Sequence, residues 1–180
     1  MLTKAQRLQM LQVPTGRVDM VLDTDTYNEV DDQFALAFLL RSVDQVSLRA
    51  VYAAPFHAQP FFPTPLIRWR SESPEDGMER SYEEIRHIIA LCGGDFPGEV
   101  KKGARRFLPD RRTPVSSPAA LDLAERAAAI FDELIVCVSV NSAKDSGLFS
   151  PEERVELIRR VTEDLPNVKA DCSRELVAEY

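Results

Sequence analysis

Val18-Asp19-Met20-Val21-Leu22, followed by Asp23-Thr24-Asp25 and then by Asp31-Asp32-Gln33-Phe34-Ala35-Leu36, is the stretch on which the reading of this chain turns. Val18 to Leu22 is nearly continuously apolar, a pattern that suits a buried parallel strand better than an edge strand. Asp23 to Val30 reads as a loop. Asp31 and Asp32 stand where a helix N-cap and first turn fall, and the partial positive charge of a helix start favours carboxylates there. Phe34 to Leu40 is apolar almost all round, which predicts a buried helix. Val46 to Ala53 reads as a second strand. The first fifty residues thus predict β-loop-α-β, the unit of an open parallel sheet.

Working outward, residues 4–12 read as a short helix ended by Pro14-Thr15-Gly16. Residues 55–76 hold five prolines and no period, the signature of a long loop. Gly77 to Cys92 reads as a helix with Met78, Tyr82, Ile85, Ile88 and Ile89 on one face. Gly93 to Ser117 reads as loop again and carries the basic cluster Lys101, Lys102, Arg105, Arg106, Arg111 and Arg112. Pro118 to Phe131 is an alanine-rich helix with Ser117 as N-cap and proline in its first turn. Glu133 to Val140 is a strong strand. Ser150-Pro151-Glu152-Glu153 opens a helix that runs to about Asp164, Asn167 to Ala170 is a short strand, and the last eight residues form a helical tail. The expectation is one α/β domain over residues 1–180, in three layers, with a mostly parallel open sheet of four or five strands.

The chain has 180 residues, 44% hydrophobic and 28% charged, with 29 acids against 22 bases and a net charge of −7. That balance argues against a nucleic-acid or anionic-membrane partner. No window approaches the ~18 apolar residues of a membrane span. The stretch MLTKAQRLQMLQ lacks the unbroken apolar run of a signal peptide, so a cytoplasmic protein is expected. Cys92, Cys137 and Cys172 are widely spaced and form no CxxC, so free thiols are expected rather than a disulfide framework or a zinc site.

Asp23, Asp25, Glu29, Asp31 and Asp32 place five carboxylates within ten residues. Five anions at a strand mouth repel one another unless a cation sits among them. Hard oxygen donors suit Ca²⁺ or Mg²⁺, and ligands of open α/β sheets bind at the carboxyl ends of strands. The alternative reading is a solvated loop that caps a helix.

Asp23-Thr24-Asp25 with Asp31-Asp32-Gln33-Phe34-Ala35-Leu36 resembles the amino-terminal signature of the inosine–uridine-preferring nucleoside N-ribohydrolases. Val51-Tyr52-Ala53-Ala54-Pro55-Phe56, Asp76 to Ile85 and Phe107-Leu108-Pro109-Asp110 add to a resemblance over roughly residues 17–122. The spacer Thr26 to Val30 is two residues longer than the usual form. The resemblance implies a Rossmann-like fold and Ca²⁺-dependent hydrolysis of the N-glycosidic bond of a ribonucleoside. Asp25 would be calcium ligand and general base, and Asp32 the second calcium ligand. Asp31 would hold ribose hydroxyls and Asp23 would brace the loop. His57 stands near the place of an asparagine that contacts ribose in that family. The implied partner is a small-molecule nucleoside.

The text changes near Leu121 to Arg126. Glu125 to Val136, Val140-Asn141-Ser142, Lys144, Leu148 to Arg159 and Asp164-Leu165-Pro166-Asn167-Val168 resemble phosphopantetheine adenylyltransferase over roughly residues 122–171. That resemblance implies a phosphate contact at Lys144. The family's nucleotide loop, (T/H)xGH, does not occur in the sequence. Together the two resemblances imply a hybrid joined at a helix common to both. They lead to a hydrolase with an incomplete site as first expectation, an adenylyltransferase-like nucleotidyltransferase as alternative, and a non-catalytic hybrid or designed chain as a third. A truncated sheet leaves an edge or an apolar face, so dimerisation stays open.

Overall fold

A computed structural model describes residues 15–57, 71–139 and 149–173. The chain forms an α/β domain of five parallel strands and four helices among these residues. Strand β1 (Val18–Thr24) leads into helix α1 (Val30–Arg41), strand β2 (Val46–Ala53) and helix α2 (Pro74–Leu91). Strand β3 (Glu99–Lys102), helix α3 (Pro118–Ile130), strand β4 (Leu134–Ser139), helix α4 (Pro151–Val161) and strand β5 (Val168–Ser173) follow. The expected tail beyond Ser173 and the expected helix over residues 4–12 lie outside the described residues.

The strands divide into two parallel sheets, one ordered β1-β2-β3 and one pairing β4 with β5. The first sheet sits between helices on both faces. Leu48, Val51 and Ala53 of β2 pack with Leu36 of α1 and with Met78 and Ile85 of α2. Ala50 and Tyr52, on the other face, pack with Ala119 of α3. This three-layer arrangement depends on one irregularity. Met20 pairs with Leu48 but Val21 pairs with Ala50, so Arg49 is an extra residue in β2. The bulge shifts the alternation by one position, which places Leu48 on the same face as Val51 and Ala53. Arg49 itself turns outward to an exposed ion pair with Asp19, Nε to Oδ1 2.9 Å.

The second sheet has its own smaller core, Val138 of β4, Val155 of α4 and Ala170 of β5. It is tied to the first part through Asn167, whose Nδ2 donates to Ala128 O at 2.7 Å and to Phe131 O at 2.8 Å at the end of α3. Arg111 and Glu153 add an ion pair at 3.3 Å.

Four sequence expectations are corrected here. β1 is an edge of its sheet among the described residues, because β2 holds the centre. α1 lies on the surface: Leu36 is fully buried while Phe34 and Phe38 are 72% and 70% exposed. α2 starts three residues before Gly77, because Ser73 Oγ accepts from Asp76 N and Pro74 enters the first turn. β3 stands inside the stretch read as a loop, since three of its four residues are charged and hide the strand pattern. The three cysteines are free, as expected. No helix among the described residues is long and apolar enough to cross a membrane.

Candidate functional site

All strands of a parallel sheet end on one side, so loops that follow strands are where chemistry is positioned. Three such places matter here: the acidic loop after β1, the basic segment after β3, and the connection from β4 to α4.

The acidic loop closes on itself. Asn28 N donates to Asp25 O at 2.9 Å and Asn28 Nδ2 donates to Asp25 Oδ2 at 2.9 Å. Tyr27 adopts φ 99°, a left-handed conformation that closes the turn. Thr24 Oγ1 donates to Asp32 Oδ1 at 2.6 Å and lies 3.0 Å from Thr26 Oγ1, so the end of β1 is laced to the first turn of α1. Ser81 Oγ of α2 donates to Thr24 O at 3.2 Å. Desolvation, and then the charge of Asp25, raises the Asp23 carboxyl above its usual range. Desolvation also raises Asp32, against the bond from Thr24, with Asp25 and Asp31 adding to the rise. Asp31 is exposed, and His57 is exposed beside the buried Phe56. Among the described residues, no group of three or more Asp, Glu, His or Cys is placed to hold a metal ion. Asp25 and Asp32 thus take their hydrogen bonds from the turn and the strand end that surround them.

The basic segment is divided between two faces. Lys101 Nζ lies 2.7 Å from Asp122 Oδ1 and 2.7 Å from Glu99 Oε2, on the α3 side. Lys102 Nζ, on the α2 side, lies 2.5 Å from Glu79 Oε2 and 4.8 Å from the centre of the Tyr82 ring. Arg105 Nη1 lies 3.5 Å from Glu75 Oε1. Sequence reading did not find the polar cluster around Asp122. Tyr52 Oη donates to Asp122 Oδ2 at 2.7 Å, and Arg126 Nε donates to the same oxygen at 2.6 Å. The available signal was an aspartate on an alanine-rich helix, four residues before an arginine.

The connection from β4 to α4 runs from the carboxyl end of a strand to the amino end of a helix. α4 opens with a full capping box: Glu153 N donates to Ser150 Oγ at 3.2 Å, and Ser150 N donates to Glu153 Oε2 at 2.8 Å. Backbone bonds at Ser150 hold the Glu153 carboxyl below its usual range, with Arg111 acting in the same direction. Lys144 and Asn141 lie in this connection, outside the described residues.

Residues 118–180 match the model of the cytidylyltransferase-like family. Part of the chain is also similar to phosphopantetheine adenylyltransferases. The enzyme of Clostridium novyi (strain NT) is 55% identical over 60 residues, which cover 33% of this chain and 37% of that protein. The enzyme of Clostridium kluyveri is 46% identical over 77 residues, 43% of this chain and 46% of that protein. The enzyme of a Nocardioides species is 52% identical over 76 residues, 42% of this chain and 46% of that protein. The chain thus spans less than half the length of these curated relatives. No solved structure matches it.

These matches correct the leading functional expectation. The relatives are nucleotidyltransferases, and a ribonucleoside hydrolase with its calcium chemistry finds no counterpart among them. The reason lies in the signal. Acids at a strand end and helix start are also what helix capping and dipole favour, so a short acidic string is weak evidence for a reaction. The adenylyltransferase resemblance in the second half rests on a much longer string, and it is that one which the comparisons support.

Proposed function

We propose that this chain is a nucleotidyltransferase-type protein that binds 4′-phosphopantetheine, with Lys144 contacting the acceptor phosphate. The observation that carries the reading is the identity of 46% over 77 residues to a phosphopantetheine adenylyltransferase. The topology supports it: Lys144 follows β4 by five residues and precedes α4, which is where open parallel sheets hold ligands. A lysine ammonium there supplies a compact charge for phosphate. In adenylyl transfer, an acceptor phosphate oxygen forms a bond to the α-phosphorus of ATP, and the bond to pyrophosphate breaks. The chain's own task in such a reaction is to hold the acceptor phosphate in line.

Calorimetric titration with 4′-phosphopantetheine and with pantetheine tests this, beside a pyrophosphate-release assay with ATP and Mg²⁺. Saturable binding of the phosphorylated compound, lost in Lys144→Ala, is the expected result. Binding of neither compound, with no pyrophosphate released, would remove the reading. Binding without release would keep the acceptor site and discard transfer.

A further inference from the structure

Helix α1 is apolar on every side, the pattern of a helix covered all round, yet the chain covers only one side of it. Leu36 is fully buried against β2 and α2, and Leu39 and Leu40 pack beside it. Val30, Phe34 and Phe38 stand at four-residue intervals and share the side turned away from Leu36. All three are exposed, and Phe34 and Phe38 are the most exposed phenylalanines among the described residues. A single exposed apolar side chain is ordinary, but three in one row make a continuous stripe along the helix.

Charge marks the two ends of this stripe. Asp31 lies in the first turn of α1 and Arg41 in the last. Both are exposed, and neither has an ion pair among the described residues. A second copy of α1 laid parallel on the stripe would set Asp31 against Asp31 and Arg41 against Arg41. Laid antiparallel and centred midway between Phe34 and Phe38, it sets each Phe34 against the other copy's Phe38. Each Asp31 then stands level with the other copy's Arg41, across the seam and within reach of a long guanidinium side chain. The stripe is therefore complementary to itself about a twofold axis, which closes the assembly at two chains.

We propose that α1 is the interface of a homodimer in which the two helices pack antiparallel. Phe34 and Phe38 form its apolar centre as two aromatic pairs, and the two Asp31–Arg41 pairs at the rim fix the direction. One helix face buries an area at the low end of specific interfaces, so the dissociation constant is on the order of tens of micromolar and the dilute chain is monomeric. α1 lies outside residues 118–180, so the dimer stands or falls apart from the acceptor site at Lys144.

Sedimentation equilibrium from about 1 μM to about 1 mM chain tests this in wild type, Phe34→Ser, Asp31→Lys and the double variant Asp31→Lys with Arg41→Glu. Far-UV circular dichroism of each at low concentration checks that the fold is kept, since all three positions are exposed. Wild type should pass reversibly from monomer to dimer. Phe34→Ser should weaken the dimer more than about tenfold, and Asp31→Lys about fivefold. The double variant should return to within about twofold of wild type, because reversing both charges restores the antiparallel pairs and would restore nothing in a parallel one. A chain that stays monomeric throughout would overturn the proposal and leave the stripe to a different partner. A dimer that Phe34→Ser leaves intact would place the interface elsewhere. A dimer that the double variant does not recover would overturn the antiparallel pairing.

Discussion

Three donors from three elements converge on the buried carboxylate of Asp122: Tyr52 from β2, Lys101 from β3 and Arg126 from α3. Burial alone would raise this carboxyl, but the bonds from Arg126, Lys101 and Tyr52 outweigh it and hold its pKa down to about 2. Tyr52 is pushed the other way, by its own desolvation and then by the bond to Asp122, so the phenol stays protonated and remains the donor. A carboxyl that is more acidic folded than unfolded binds fewer protons in the native state. Its stabilisation is complete above the unfolded value of about 3.9 and is lost as pH falls through that value toward the folded one. Asp122→Asn should therefore lower stability in urea by about 2 kcal/mol at neutral pH. The deficit should shrink toward zero as both proteins are titrated to about pH 2. A deficit that stays constant over that range would mean that shape, not charge, is what Asp122 contributes.

The helices show what an element's sequence carries and what it leaves out. α3 and α4 could be placed because serine caps and first-turn prolines mark them locally. α1 carries apolar residues on every side, so its hydropathy could not say which side meets the sheet. It packs against β2 and α2 through Leu36 and leaves Phe34 and Phe38 outside. Leu36→Ala should cost about 2–5 kcal/mol, and Phe34→Ser no more than about 0.5 kcal/mol, in chemical denaturation. Equal losses would mean that Phe34 is covered in solution. β3 was illegible for the opposite reason. Only Val100 turns an apolar side chain to the core, while Lys101 and Lys102 are accommodated by acids on α3 and α2. Those partners lie 21 and 23 residues away, beyond any local window. The acidic loop was visible as a string, but the closure of its carboxylates onto Asn28 and Thr24 was not.

At the scale of the molecule, two parallel sheets share one chain with unequal cores. The first buries Leu36, Val51, Ala53, Met78 and Ile85 completely, whereas the second rests on Val138, Val155 and Ala170. Local stability follows the apolar contacts that must open. In native-state hydrogen exchange, the amides of Val136 and Val138 should open at lower free energy than those of Val51 and Tyr52. Equal opening energies would instead make Asn167, which bonds both the end of α3 and the β4 side, a sufficient link to unfold both sheets as one. The expectation of a single sheet of four or five strands came from the βαβ rule, which holds within each unit. Nothing in the sequence between Ile130 and Leu134 specifies whether β4 joins β3.

The central place of β2 also sets an order of events in time. Val18 meets Val46 across 28 residues, whereas Ala50 meets Glu99 across 49. Closing the shorter crossover costs less chain entropy, and during synthesis it can occur as soon as Ala53 has left the ribosome. From then until Lys102 emerges, the second side of β2 offers free N–H and C=O groups to any passing strand. The nascent chain is most exposed to mispairing in that interval, so slowing elongation between Ala53 and Lys102 should raise the aggregated fraction more than slowing it after Lys102.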